Sequence, residues 1–150
     1  MLAAIRPDAW NLPLFLHVLA ALVLVGVLVM VAASLAGASA GGAAAVRLSY
    51  RGLLLAALPA WIVMRGSAQW LLSEENLAEE SPGWVDIGFM TSESTLLLLI
   101  AATVCAGVAA RRAGRGAAPG TGLSRAALVL VGIVLIAYLV VIWAMTTKPS

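Results

Sequence analysis

The chain has 150 residues, of which 63% are hydrophobic and 11% charged, with a formal net charge of +2. A soluble domain carries about 25% charged residues, so this chain has too few to cover a water-facing surface, and the bilayer is its natural solvent. The small net charge gives no footing for nucleic-acid binding, and one cysteine, Cys105, excludes an intrachain disulfide framework.

Crossing a hydrocarbon core of about 30 Å takes about 20 apolar residues at about 1.5 Å each. In chain order, the first segment to qualify is residues 12–35, which holds the chain's one histidine, His17. Arg6, this apolar run and then Ala38-Ser39-Ala40 also resemble a secretory signal with a small-residue cleavage site. The run exceeds an h-region of about 7–15 residues, and Asp8 sits in the flank that such a signal keeps positive, so a retained span is the expectation. Residues 36–45, "AGASAGGAAA", read as a flexible connection of small residues.

The second predicted span is residues 53–72, with a kink expected at Pro59, which neighbouring helices tolerate inside a membrane. The third is less plain. Its clean apolar run, 96–110, is too short, so it must draw in 91–95 or begin as early as Trp84, after the helix-start signal Ser81-Pro82-Gly83. The preceding acidic stretch can form a short surface helix, but lacks the alternating acids and central glycine of an EF-hand. Residues 113–122, "AGRGAAPGTG", read as a second flexible connection, and 126–145 as the fourth span. The expected fold is a single all-α domain, an antiparallel four-helix transmembrane bundle with spans at about 12–35, 53–72, 91–110 and 126–145.

Charge assigns a direction. Residues 36–52 carry Arg47 and Arg51, and residues 111–125 carry Arg111, Arg112, Arg115 and Arg125, with no acid in either. Residues 73–93 carry Glu74, Glu75, Glu79, Glu80, Asp86 and Glu93, with no base. Arginine in short loops marks the cytoplasmic side, so both termini and the acidic loop are expected outside, in a bacterial inner membrane. Lys148 is a single weak exception in the outer tail.

With that orientation, the polar residues of the spans fall at one depth. His17 lies about 7 Å and Arg65 about 10 Å below the outer boundary, counted at the helical rise. Tyr138 falls near the same level and Glu93 near the outer start of the third span. Trp61, Arg65 and Gln69 share a helix face at four-residue spacing. A cation at helix centre costs about 2.5–3.5 kcal/mol, so Arg65 is expected to pair with Glu93, bind a ligand or snorkel outward. His17 can bond a neighbouring helix, ligate a metal or haem, or relay a proton. Trp10, Trp70, Trp84 and Trp143 read as an interfacial belt. Met64, Met90 and Met145 read as bilayer filling, although thioether sulfur is a soft ligand.

The stretch "LHVLAALVLVG", residues 16–26, resembles a group of small bacterial membrane proteins. The group includes an uncharacterised four-span family, copper-resistance-D-type proteins and HemJ-type protoporphyrinogen oxidases. "GWVDIGF", residues 83–89, is similar to the start of a late helix in the uncharacterised family. The resemblance implies a haem-binding role for the first-span histidine, here His17. The chain departs from it in having no second histidine and no lysine within a span.

Two readings follow. In one, the protein is a non-catalytic accessory or scaffold subunit of the membrane, as a homo-oligomer or within a larger complex, with Arg65, Gln69 and Glu93 as a structural polar layer. In the other, the outer half of the bundle holds haem b or a porphyrin, with His17 as axial metal ligand, Arg65 on a propionate and Tyr138 or a methionine completing the pocket. A transporter would need a polar path through the inner halves, which offer none.

Overall fold

The computed structural model describes residues 11–74, 83–119 and 122–147, and the side chains of these except 83–87 and 145–147. The described residues are helical apart from short turns, and four helices are long and apolar enough to cross a membrane. Helix α1 is Asn11–Ala36 and α2 is Ala38–Gly52. A π-helical turn, Leu53–Ala57, joins α2 to α3, Leu58–Glu74. Helix α4 is Gly83–Ala113 and α5 is Gly122–Thr147. The second span is thus α2, the π turn and α3 together, a continuous 37-residue unit.

The spans form a four-cornered ring in which each packs on the ones before and after it in the chain. α1 lies against α2, α3 and α5, and α4 lies against α5 and α2. Short connections favour this antiparallel up-and-down order. Each helix sends one narrow stripe inward. On α1 the stripe is Ala20, Leu24, Leu28, Val31 and Leu35, spaced three or four residues apart. Leu99, Ala102 and Ala106 of α4 meet Ala127, Val131 and Val134 of α5 in the same core. The opposite faces stay bare: Leu22 on α1 is 67% exposed and Ile136 on α5 is 64% exposed. Lipid covers such faces as well as another helix would, so close packing and polar ties, rather than apolar burial, hold the spans together.

The structure corrects two sequence expectations. Residues 36–45 are not a flexible connection. α1 turns at Gly37, whose carbonyl accepts from the Ala40 and Gly41 amides, and α2 begins at once. Alanine is the best helix former, and Ala38 and Val46 give this segment an apolar face buried against Ala109 and Ala110 of α4. The one break inside α2 is Gly42, at φ 64° and ψ −156°, a conformation that glycine permits. Residues 113–122 are likewise more ordered than read. α4 runs to Ala113 and closes in a turn, with the Arg115 and Ala117 amides both donating to the Arg112 carbonyl. The Ser124 hydroxyl then donates to the Pro119 carbonyl (3.0 Å).

Pro59 is taken up by the π turn. The ring removes one N–H from the ladder, and the five-residue turn just before it resets the pairing, with the Leu58 amide donating to the Leu53 carbonyl. Ser81 and Pro82, and most of the acidic stretch, lie outside the described residues. α4 starts at Gly83, so "GWVDIGF" forms its first two turns.

Candidate functional site

Two ends of the bundle carry its polar chemistry. One is the acidic end, where α3 stops and α4 starts. The other is the arginine end, where α2 starts and α4 stops.

At the acidic end the second and third spans diverge. Their packing is concentrated between α2 and α4, while α3 meets α4 sparsely. Long side chains cross that gap. The Trp61 indole N–H donates to the Ser92 carbonyl (3.2 Å). One turn along α3, the Arg65 guanidinium reaches Glu93 Oε1 (3.2 Å) and also donates to Gln69 Oε1 (2.9 Å). Its carbon sits 4.0 Å over the centre of the Phe89 ring, which adds a cation–π contact on the same helix as Glu93. The pair is rim-like: the Arg65 side chain is 23% exposed and that of Glu93 is 68% exposed. Exposed pairs of this kind contribute about 0–1 kcal/mol.

His17 makes its bond elsewhere. Its Nδ1 lies 3.0 Å from the backbone carbonyl of Met64. A carbonyl only accepts, so Nδ1 carries a proton, and in the neutral ring Nε2 holds the free lone pair. That bond ties α1 to α3 one residue before Arg65. Met64 itself is buried, and its carbonyl also accepts from the Ser67 hydroxyl (3.0 Å). On the far side of the bundle, Tyr138 of α5 is buried, and its hydroxyl hydrogen-bonds the Thr95 hydroxyl of α4 (3.1 Å). Thr95 also bonds back to the Thr91 carbonyl of its own helix (2.8 Å), the usual resort of a buried hydroxyl in a helix. The Ser92 hydroxyl oxygen, beside these groups in sequence, is buried without a hydrogen-bond partner.

The four spans therefore contribute to one polar layer: His17 and Met64 join the first and second, Trp61 and Arg65 join the second to the third, and Thr95 and Tyr138 join the third to the fourth. Arg65, Gln69 and Glu93 form one connected group. His17 and Tyr138 each bond a different neighbour, and neither bonds Arg65. Composition marked His17, Arg65, Gln69, Glu93 and Tyr138 because each is an outlier in an apolar span. It did not mark Ser92 and Thr95, ordinary small residues that become partners only through their place on α4, nor the Met64 carbonyl, which has no side-chain signal at all. The indole tie of Trp61 was foreshadowed by its spacing from Arg65.

The expected belt tryptophans and outer methionines not in the layer are peripheral where their side chains are described. Trp70 and Trp143 are exposed, as interfacial residues are, and Trp70 donates to its own-helix Glu74 (3.2 Å). Met90 is 72% exposed. Trp10 lies outside the described residues, as do the side chains of Trp84 and Met145. Among the described residues, no group of three or more histidine, cysteine, aspartate or glutamate side chains could hold a metal ion.

Fold and site together define an all-helical, multi-pass membrane bundle with an interhelical polar layer at one end and an arginine-lined face at the other. Set against protein-family models, curated proteins and solved structures, the chain matches none of them.

Proposed function

We propose that this protein is a non-catalytic accessory or scaffold subunit of a bacterial inner membrane, with its acidic end and both termini outside. The observation that carries this reading is that His17, Trp61, Arg65, Glu93 and Tyr138 of the layer each bond another helix of the same chain. His17 joins α1 to α3, Arg65 and Trp61 join α3 to α4, and Tyr138 joins α5 to α4. Their chemistry goes into holding four helices in register. Broad apolar faces on α1 and α5 are left for lipid or for a neighbouring protein. Blue-native electrophoresis of gently solubilised membranes tests it. The 15.4 kDa chain should migrate within a discrete assembly well above the size of its own monomer. Migration as a lone monomer in every mild detergent would refute the scaffold role.

A second reading has one observation in its favour. A metal-ligating histidine usually fixes its ring by donating the other N–H to a carbonyl, and His17 does this toward Met64. Its free Nε2 is therefore the correct tautomer for an axial haem ligand, as the likeness of residues 16–26 to HemJ-type proteins implies. Against it, Arg65, the partner such a reading assigns to a propionate, is engaged with Glu93 and Gln69.

A further inference from the structure

The arginine end holds a second constellation that the polar layer does not involve. Arg47 and Arg51 sit one turn apart on α2, Arg111 lies in the last turn of α4, and Arg115 lies in the turn that closes it. Both pairs line a single cleft of about 410 Å³, which Tyr50 also lines. Positive charge at this end serves two general purposes, orienting the chain and complementing the C-terminal dipole of α4. Neither purpose requires that the arginines of two different helices meet around one space.

Two glycines create that meeting. A Cβ on Gly107 would lie 2.9 Å from Cε2 of Tyr50, so the absence of a side chain lets the ring lie against the α4 backbone. A Cβ on Gly114 would lie 3.2 Å from Nη2 of Arg47, so the guanidinium of one helix reaches the backbone of the other. No carboxylate balances the charge. The one ion pair among the described residues is Arg65–Glu93 at the opposite end, and the sequence has no acid between Asp8 and Glu74 or after Glu93.

We propose that this cleft is a binding site for the phosphate of an anionic phospholipid headgroup. Guanidinium forks bind phosphate oxygens in pairs, and more than one fork faces the same space. The cleft opens where the apolar spans end, which is the depth of a headgroup, and basic pockets between spans take such headgroups. Its volume is large enough to admit a phosphate with its glycerol. Tyr50 supplies a hydroxyl and a flat apolar wall. The same phosphate chemistry could arrive on a soluble molecule, and the test separates the two sources.

The experiment is native mass spectrometry of the full chain released from nanodiscs of phosphatidylcholine with a minor fraction of cardiolipin or phosphatidylglycerol. Wild-type protein should retain one anionic lipid per chain. The double variant R47Q/R111Q should retain at least tenfold less. R112Q/R125Q removes the same charge from arginines outside the cleft and should retain the lipid at the wild-type level. R47K/R111K keeps the charge without the fork and should fall between them. Equal loss in both glutamine pairs would overturn the site in favour of diffuse attraction. In a second arm, glycerol 3-phosphate at millimolar concentration is added both to the lipid-bound protein and to lipid-stripped protein. Displacement of lipid, or binding as tight as the lipid's, would overturn the headgroup assignment and make the ligand a soluble phosphate. Circular dichroism confirms equal helix content, which these exposed side chains do not determine.

Discussion

The two ends of this bundle are held by opposite means. At the arginine end the spans are drawn together by what is missing from their side chains. Gly52 faces Met30 and Val31 of α1, Gly107 faces Tyr50, and Ala38, Ala109 and Ala110 are buried around Val46. At the acidic end the second and third spans part, and Trp61 and Arg65 reach across to Ser92 and Glu93. In a bilayer both strategies work, because association rests on close van der Waals packing and on hydrogen bonds rather than on apolar burial. They differ in tolerance. A glycine contact fails when one methyl is added, whereas a rim ion pair can be lost at little cost.

The largest expected effect is all-or-none and asks which end faces which compartment. With Cys105 replaced by alanine, Ser39→Cys at the exposed start of α2 should resist a membrane-impermeant thiol reagent in intact cells and react after permeabilisation. Labelling from outside would invert the two ends. Next in size is Gly107→Val. Its Cβ would press on the Tyr50 ring, and overpacking of this kind costs about 1–3 kcal/mol. Denaturant unfolding in micelles measures it. A neutral result would mean that the arginine end is not held by close approach. His17→Ala removes one interhelical hydrogen bond, for which about 0.6 kcal/mol is typical and about 1.7 the observed upper end in membranes. Glu93→Gln is the smallest. With that carboxylate 68% exposed, the loss should stay below about 1 kcal/mol and shrink further as salt is raised. A large loss at Glu93 would show that the pair carries the acidic end.

The four spans and the level of their polar residues were legible in the sequence, because hydropathy over 20 residues and lone polar groups in an apolar run are strong signals. Charge left pairing with Glu93 as one of three outcomes for Arg65, and four-residue spacing put Gln69 on its face; the structure shows both contacts. The destination of His17 did not, because its partner is a backbone carbonyl. The helical nature of 38–45 was obscured by Ser39, Gly41 and Gly42, which gave 36–45 the composition of a linker. The spacing of Ala38, Val46, Ser49 and Leu53, all buried, was the signal to follow. The basic cleft was hidden for a different reason: counting arginines by loop gives direction, whereas the cleft depends on Gly107 and Gly114 letting two helices approach.

The central claim is that the polar layer at the acidic end joins helices and does not hold a cofactor. The visible absorption spectrum of protein purified from haem-replete cells, before and after incubation with haem, tests it most directly. The account predicts no Soret band in either case, and only a modest loss of stability for His17→Ala. A Soret band in the wild-type protein that disappears in a folded His17→Ala variant would contradict it, and would make Nε2 of His17 an axial ligand.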